Sequence, residues 1–428
     1  MSARSGVTPP AGWKWQPLGR VMRRSRLAGK PEWQPLSVFL DDGVVPRSDR
    51  DDNHNQLGAD LSNYLVVEPG DLVFNKLRTW QGGFGHSRFS GIVSPAYYVL
   101  RPTPALDTRF MDYLLHSSPY LAELTRLSKW MPPSQFDMPW DELKTLPVPL
   151  PPLDVQRRIA DFLDDQVERI DGVIAARERM VGLVAERAAS EAQSLVLARV
   201  DTQPIRTDAG PVLPTPPGWI ARKNKTFMRE VVDLSQSGAE EMLTVSHLTG
   251  VTPRSEKTVY MFEAETNVGY KRVQPGDLVI NTLWAWMGAL GVARKPGIVS
   301  PAYGVYRFTE PSAEPRYFDA LFRSNAYVTE MTRYSKGVWS SRLRLYPDSF
   351  LALTSPFPPY DEQLRIADAV EASTEAVARR VAPMRRSIDL LGERKRSLIT
   401  AAVTGEFDVS SASSRATNVA LSGVGGVG

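Results

Sequence analysis

The sequence contains no cysteine and only four histidines in its 428 residues. The absence of cysteine excludes disulfides, thiolate metal ligands and cysteine nucleophiles, and it fits a reducing compartment. The four histidines stand too far apart along the chain for the spacing of a metal site: His54, His86, His116 and His247. This composition therefore gives no indication of metal-dependent or thiol-dependent chemistry.

Long apolar runs and a strong net charge are also missing. No stretch approaches about 18 consecutive apolar residues, so the sequence predicts no membrane span. Its start has no apolar segment of the signal-peptide type, and we therefore expect a cytoplasmic protein. The formal net charge is only +3, which does not by itself indicate a nucleic-acid partner.

The feature that dominates the sequence is an internal repeat. The phrase GIVSPAY begins at Gly91 and again at Gly297, 206 residues later. The same offset aligns VEPGDLVFN (67–75) with VQPGDLVIN (273–281). After a shift of one residue, PPLDVQRRIAD (151–161) aligns with PPYDEQLRIAD (358–368). Matches in one order with one small shift indicate a duplication of nearly the whole chain.

Each half predicts a mixed α/β domain followed by a long helix. Short β-type runs bounded by Pro-Gly turns precede helical patterns and a proline-rich bridge. We predict an α+β fold in which two tandem α/β domains are related by a pseudo-two-fold repeat. The predicted boundaries are domain 1 at 1–150, a central helix at 151–200, a linker at 201–217, domain 2 at 218–357, a C-terminal helix at 358–405 and a disordered tail at 406–428.

The two long helices are predicted to pair as an antiparallel coiled coil. Apolar residues recur every three, four or seven positions over roughly 40 residues, which gives a rod about 60 Å long. A single rod with one apolar stripe is unstable in water, so pairing is expected. Asp154 and Asp361, directly after the prolines, are predicted N-caps, and Pro383 predicts a kink or a short break.

Motifs of catalysis are weak or missing. GVGGVG (423–428) fits a dinucleotide-binding pattern but ends the sequence, with no helix after it. FPPY (357–360) resembles an amino-methyltransferase motif, but Phe357 replaces the residue that would hold the target amine. Walker A, H-E-x-x-H and G-x-S-x-G patterns are absent from the sequence. We therefore expect a chain without an active site.

Two similar domains on a rigid spacer suit a target with two separated sites, and DNA is such a target. After the shared PGDLV strand, copy one reads NKLRTWQGGFG (75–85) and copy two reads NTLWAWMGALG (281–291). A second loop reads KWMPPSQFDM (129–138) in copy one and KGVWSSRLRL (336–345) in copy two. Different residues on one frame predict an asymmetric bipartite DNA target, with arginine preferring guanine and glutamine preferring adenine.

The candidate DNA-binding residues lie in these loops and in two basic clusters, GRVMRRSR (19–26) and ARKNK (221–225). For the tryptophans, packing in the core is the alternative interpretation. The predicted set is Arg23, Arg24, Lys76, Arg78, Trp80, Gln81, Lys129, Gln135, Arg222, Asn281, Trp284, Trp286, Lys336 and Arg342.

The sequence resembles the specificity subunit of Type I restriction-modification systems. The resemblance rests on PLPPLDVQRRIADFLDDQVERID (149–171), PPYDEQLRIADAV (358–370) and LLGERKRSLITAAVTGEFDV (390–409). It implies two target-recognition domains, and two helices that set the gap between half-sites and dock two methylation subunits. The implied docking residues at the helix starts are Gln156, Arg157, Gln363 and Arg365.

The resemblance also implies that this chain carries no cofactor. S-adenosylmethionine would be bound by the methylation subunits, and ATP and magnesium by the partner subunits, including those for restriction and translocation. Two other interpretations remain at this point, a stand-alone bipartite DNA-binding protein and a coiled-coil adaptor that binds only proteins. Salt-dependent DNA binding would separate the adaptor from the other two.

Overall fold

The computed structural model describes residues 8–40, 42–50, 57–58, 60–131, 135–197, 205–207, 210–213, 215–256, 266–337 and 343–409. The chain divides into two compact units: unit 1 contains Met1–Arg177 and Arg386–Gly428, and unit 2 contains Glu178–Arg385. Each unit contains a mixed α/β head, called head 1 (8–150) and head 2 (215–357), and parts of two long helices. The predicted disordered tail lies, from residue 410, outside the described residues. Of the predicted linker at 201–217, residues 201–204, 208–209 and 214 lie outside them, and the described part contains two short strands, Ile205–Thr207 and Gly210–Val212.

The first half of the chain forms twelve named strands and five α-helices, with 3₁₀ turns at Arg47–Asp49 and Thr79–Gln81. In chain order they are β1 (Lys14–Pro17), α1 (Leu18–Val21), β2 (Met22–Ser25), β3 (Leu36–Phe39), β4 (Gly43–Pro46), β5 (Leu65–Val67), β6 (Leu72–Asn75), β7 (Phe84–His86), β8 (Gly91–Val93), β9 (Tyr97–Pro102), α2 (Thr108–His116), α3 (Ser118–Leu127), β10 (Lys129–Met131), β11 (Gln135–Asp137), α4 (Trp140–Leu143), β12 (Pro147–Leu150) and α5 (Leu153–Val196).

The second half repeats this order with small differences, with 3₁₀ turns at Asn224–Thr226, Arg254–Glu256 and Ala285–Met287. Its elements are β13 (Ile205–Thr207), β14 (Gly210–Val212), β15 (Ile220–Lys223), β16 (Met228–Glu230), β17 (Leu243–Ser246), β18 (Gly250–Pro253), β19 (Lys271–Val273), β20 (Leu278–Ile280), β21 (Leu290–Val292), β22 (Gly297–Val299), β23 (Gly304–Phe308), α6 (Pro315–Phe322), α7 (Asn325–Tyr334), α8 (Pro347–Ala352), β24 (Thr354–Phe357) and α9 (Tyr360–Thr404).

The two heads share one strand order. In head 1 a four-stranded antiparallel sheet runs β2-β9-β6-β7, and β5-β8, β3-β4 and β1-β12 form antiparallel pairs. In head 2 the sheet runs β16-β23-β20-β21, with the pairs β19-β22, β17-β18 and β15-β24. The predicted mixed α/β fold is confirmed.

The repeated phrase GIVSPAY belongs to this shared frame. Its glycine is the first residue of β8 in head 1 and of β22 in head 2. A Cβ added to Gly91 would lie 2.5 Å from the Gln34 carbonyl oxygen, and a Cβ added to Gly297 would lie 2.4 Å from the Glu241 carbonyl oxygen. No side chain fits such an approach, which explains why the glycine occurs in both copies. Tyr97 starts β9, whereas β23 begins one residue after Tyr303.

Each head packs its core against the long helices of its own unit. The core of head 1 reaches Ile159, Ala160 and Leu163 on α5 and Ile399, Ala402 and Val403 on α9. The core of head 2 is rich in aromatic rings and reaches the other halves of the same helices. Its helix contacts are Val196, Leu197, Ile366 and Ala367.

The long helices α5 and α9 pack together, as the sequence predicts. In unit 1, Lys395 Nζ lies 2.7 Å from both carboxylate oxygens of Asp171, and the rings of Phe162 and Phe407 lie 5.6 Å apart. As α5 advances, its partners come from earlier positions of the C-terminal segment, so the pairing within this unit is antiparallel. Among the described residues, no helix is long and apolar enough to cross a membrane.

One expectation about the helices is wrong, and a second is wrong in part. Asp154 and Asp361 lie inside the first helical turn, where the carbonyls of Pro152 and Pro359 accept hydrogen bonds from the first helical amides. The two carboxylates are therefore not N-caps, and they interact favourably with the helix dipole. Of the predicted kink or short break at Pro383, the break is absent, because α9 continues through that residue. The kink stays a prediction, since proline lacks the amide that would bond the preceding turn.

The heads meet their helices differently. In unit 1, the Tyr113 hydroxyl donates to Asp164 on α5 at 2.8 Å. In unit 2 the position equivalent to Tyr113 is Ala320, which lines a cavity of about 660 Å³ between head 2 and both helices. Ala189 and Ala192 of α5 form another part of its wall.

Candidate nucleic-acid interface

The loops that the sequence singled out have the same backbone geometry in both heads. The Asn75 N–H donates to the Gly83 carbonyl at 2.9 Å, and the Asn281 N–H donates to that of Ala289 at 3.0 Å. Each loop then forms its 3₁₀ turn and ends in a left-handed glycine, with φ of 87° in head 1 and 78° in head 2. We call the segments 76–83 and 282–289 the turn loops.

In each head the second variable segment lies beside the turn loop. The Met138 N–H donates to the Lys76 carbonyl at 3.1 Å, and the equivalent Leu345 N–H donates to the Thr282 carbonyl at 2.9 Å. This segment forms the β10-β11 hairpin in head 1. In head 2 a single bridge between Lys336 and Arg344 takes its place. The fold therefore brings together two segments about 50 residues apart.

Head 1 gathers cations around one tyrosine. The Arg24 guanidinium carbon lies 4.6 Å from the centroid of the Tyr98 ring, and Lys76 Nζ lies 5.5 Å from it. Burial, reinforced by the negative charge of Asp137, raises the pKa of the Tyr98 hydroxyl, which donates to the Met138 carbonyl at 3.0 Å. The Nε atom of Arg24 is buried without a hydrogen-bond partner among the described residues. Cation–π contacts thus hold two positive charges near the turn loop.

The remaining predicted residues of head 1 differ in exposure. Arg78, Gln81 and Lys129 are exposed. Trp80 packs its ring 4.9 Å from that of Phe136, so the core-packing interpretation accounts for part of its surface. The side chain of Gln135 lies outside the described residues.

Head 2 presents aromatic rings in the equivalent place. Trp284 is 50% exposed and stacks on Trp286, with ring centroids 6.2 Å apart and planes 17° apart. The Trp286 indole N–H donates to the Leu283 carbonyl at 3.0 Å, so this ring supports the turn from within. Lys336, in the second variable segment, is exposed, and Arg342 lies outside the described residues.

Two predicted DNA-binding residues make structural contacts within head 2. Asn281 is only 9% exposed; its amide donates to the Tyr303 hydroxyl at 3.2 Å and its oxygen accepts the Leu283 N–H at 3.3 Å. Its hydrogen-bonding atoms shape the turn and leave little surface for a base. Arg222 lies 4.5 Å from the Phe357 ring centroid and pairs with Glu310 at 3.4 Å.

Arg222 also lies away from the turn loop of head 2. Ile280, the last residue of β20 before the turn loop, pairs with Gly304, whereas Glu310 follows the opposite end of β23. The structure therefore does not bring Arg222 to the turn loop. Arg23 is exposed on β2. Neighbouring residues on a strand point to opposite faces, so Arg23 does not share the side on which Arg24 meets Tyr98.

A histidine–aspartate network that the sequence reasoning missed supports the turn loop of head 1. A carboxylate oxygen of Asp112 lies 2.6 Å from His86 Nδ1, and the other lies 3.0 Å from His116 Nδ1. His116 Nε2 lies 3.2 Å from the Gly82 carbonyl oxygen, at the end of the turn loop. Within the described ranges, no group of three His, Cys, Asp or Glu residues could hold a metal ion.

This network shifts the pKa values of Asp112 and His116. Burial acts to raise the pKa of Asp112, but hydrogen bonds and charge from His116 and His86 outweigh it and hold that pKa well below its usual value. Burial acts to lower the pKa of His116, but the Asp112 carboxylate outweighs it and raises that pKa. A signal was present in the sequence, because Asp112 recurs as Asp319 in the repeat.

The predicted docking residues divide into two kinds. Gln156 is fully buried: its amide oxygen accepts the Asp107 N–H at 2.9 Å, and its nitrogen donates to the carbonyls of Pro151 and Ala105 at 2.8 and 3.2 Å. Gln363 is equally buried and bonds the equivalent groups of head 2. These amides fasten each helix to its own head and are not surface residues. Arg157 and Arg365 are exposed, so docking stays a prediction for them.

An arginine clamp reinforces each of these joints. Arg109 contacts Asp107 in its own head and Asp161 and Asp164 on α5, at 2.7 to 3.2 Å. Arg316 makes the same arrangement with Glu314, Asp368 and Glu371 at 2.8 to 2.9 Å. One guanidinium with three carboxylates fixes direction better than a single ion pair.

Comparison with known proteins agrees with this architecture. No family model matches the sequence, and no curated protein matches it significantly. A solved chain from work on complex assembly and conformational transition of the type I R-M system is 17% identical, with a TM-score of 0.63 over 94% of this chain and 100% of that chain. This chain therefore shares the fold of a chain from a Type I restriction-modification system.

Two further structures align over similar lengths. The HsdS subunit from Thermoanaerobacter tengcongensis is 18% identical, with a TM-score of 0.45 over 94% of this chain and 99% of that chain. The Type-I restriction-modification system S subunit from M. genitalium is 10% identical, with a TM-score of 0.37 over 94% and 98% of the two chains.

Proposed function

We propose that this chain is the DNA-specificity subunit of a Type I restriction-modification complex and is not itself an enzyme. In this proposal each head reads one half of a bipartite, asymmetric DNA target. The fold shared with a chain of such a system supports the assignment. The resemblance of the helix-entry segments, found independently in the sequence, points to the same family.

The observation that carries the proposal is that the two turn loops share one backbone geometry but carry side chains of different chemistry. The turn loops share their hydrogen bonds and their 3₁₀ turns, but Arg78 of head 1 is replaced by Trp284 in head 2. Arg24 is likewise replaced by Glu230, which pairs with Lys271 at 3.6 Å. A frame maintained while its exposed residues change is what two readers of different base sequences require.

The long helices are proposed to set the distance between half-sites and to dock methylation subunits on their exposed faces. S-adenosylmethionine, ATP and magnesium would then be bound by the methylation and restriction subunits. Arg157 and Arg365, exposed at the helix starts, are the docking residues retained from the sequence prediction. We place the assembly in the cytoplasm, where host DNA is accessible.

Methylome sequencing of the host, with the gene intact, deleted and restored, tests this function. We expect one bipartite motif whose modified adenines disappear on deletion and return on restoration. Exchanging residues 12–150 for the same region of a related chain should change only one half of the motif. A methylome that does not depend on the gene would contradict the proposal.

Binding measurements separate the two other interpretations. Purification of the tagged chain should recover methylation subunits, whereas a stand-alone DNA-binding protein would be recovered alone. Affinity for the motif should fall steeply as salt rises, because phosphate contacts release counterions. A protein-only adaptor would show no specific affinity for the duplex.

A further inference from the structure

Head 2 exposes apolar surface where head 1 exposes charge. Trp284 is 50% exposed and Leu283 is 46% exposed, both in the turn loop. At the position equivalent to Trp284, head 1 has the exposed Arg78. Two exposed apolar side chains adjacent in one loop give head 2 a local apolar surface, the kind that a binding partner covers.

The exposed indole is held in place before any partner arrives. One of its faces stacks on Trp286, and the Trp286 N–H is bonded to the Leu283 carbonyl. Gly288, with φ of 78°, closes the turn and directs the chain back into β21. A fixed ring loses little conformational entropy on binding, which is the property of an anchor residue.

The surroundings of this patch indicate the chemistry of its partner. The Leu345 N–H bond to the Thr282 carbonyl brings the second variable segment beside the turn loop. Arg344 of that segment lies 5.4 Å from the ring centroid of Tyr346, which is 46% exposed, and Lys336 pairs with Arg344 through the backbone. An apolar centre with basic neighbours fits an apolar group flanked by phosphates. In the major groove of DNA that group is the C5-methyl of thymine.

We propose that Trp284, with Leu283, is a specificity-determining residue that reads thymine through its methyl group. This inference rests on the proposed function, and it adds that the two heads use different modes. Head 1 binds its half-site mainly through charge and hydrogen bonds, and head 2 binds its half-site mainly through apolar contact. The salt dependence of head 2 is correspondingly the weaker of the two.

The test replaces single thymines of the target by deoxyuridine, which removes only the methyl group. The full chain is titrated against duplexes of the motif found by methylome sequencing, and affinity is measured by fluorescence anisotropy. In the half-site read by head 2, we expect at least one thymine whose replacement weakens binding about fourfold, the value for one buried methyl group. Replacements in the other half-site should have no comparable effect.

Variants assign the effect to the indole. Trp284→Ala should abolish the difference between thymine and deoxyuridine. Trp284→Arg installs the residue of head 1 at an exposed position, so it should fold, lose the thymine dependence and steepen the salt slope by about one. The matched control Arg78→Ala should weaken binding while leaving the thymine dependence intact. Circular-dichroism melting confirms that each variant is folded.

The outcomes distinguish a failure of this inference from a failure of the proposed function. If the chain binds its motif but no thymine replacement matters, or if Trp284→Ala retains the effect, the inference is wrong and the proposed function stands. If no duplex is bound with sequence preference, both are wrong.

Discussion

At the scale of single residues, several polar side chains act inside the fold and not at its surface. Gln156 and Gln363 look like surface residues of an exposed helix in the sequence, yet each is fully buried at the joint between a head and its helix. Asn281 is similarly used to shape its turn. A glutamine pattern in sequence does not distinguish these environments, because burial depends on what packs against the residue.

Replacing Gln156 by alanine should destabilise unit 1. Three backbone groups of head 1 and the helix entry lose their partner, one of them buried and two partly buried, which costs about 2 kcal/mol. Urea denaturation monitored by circular dichroism measures the change. The exposed neighbour Arg157→Ala is the control and should shift stability by less than about 0.5 kcal/mol. Equal effects of the two changes would refute the structural role of the glutamine.

The network around Asp112 predicts a pH dependence of head 1. Because the pKa of His116 is raised in the folded chain, this residue stabilises the fold fully below its unfolded pKa of 6.5. That stabilisation is lost as the pH rises through the pKa of the folded state. The lowered pKa of Asp112 means that its contribution is complete above 3.8 and is lost as pH falls through the folded value. Stabilisation by this network is therefore greatest between about pH 4 and 6.5.

Thermal melting between pH 6 and 9 checks this expectation. The wild-type chain should lose stability across that range, and His116→Asn should lose less. Because His116 also contacts the Gly82 carbonyl, the same titration should loosen the turn loop of head 1, which hydrogen exchange can detect. An identical pH profile for the variant would show that the network does not titrate as described.

At the scale of elements, each long helix is joined to its head by an arginine clamp and by the packing of side chains beside it. The clamps of Arg109 and Arg316 are alike, but the packing beside them is not. Tyr113 fills its site in unit 1, whereas the equivalent Ala320 leaves a cavity in unit 2. The repeat in sequence predicts equal joints, so only the structure shows that one of them is underpacked.

Ala320→Tyr should stabilise unit 2 by filling part of this cavity. Its hydroxyl would lie near Glu371, as that of Tyr113 lies near Asp164, and we expect a gain of about 1 kcal/mol. The reciprocal change Tyr113→Ala should cost unit 1 about 3 kcal/mol. Differential scanning calorimetry of the two variants measures both shifts, and a loss of stability in Ala320→Tyr would show that the site cannot accept a ring.

At the scale of the whole molecule, duplication has produced two heads of one topology that differ in the chemistry of their turn loops. In the proposed function, the length of α5 and α9 sets the separation of the half-sites. Removing whole helical turns from both helices should therefore change the gap of the methylated motif and leave both half-sites unchanged. Methylome sequencing of the shortened variant provides the check, and altered bases within a half-site would contradict the spacer role.

The sequence by itself determined the duplication, the mixed α/β heads, the two long paired helices and the variable loops. These features follow from linear patterns, namely repeated phrases, apolar periodicity and proline bridges, which local physics converts into elements. Only the tertiary structure decided which of these residues are buried, which are exposed and what lies beside them. It buried Gln156, paired Arg222 with Glu310 away from the turn loop, carried α9 without interruption through Pro383 and left Trp284 exposed beside a supporting Trp286. Such outcomes depend on contacts between residues far apart in the chain, whose net free energies no local pattern records.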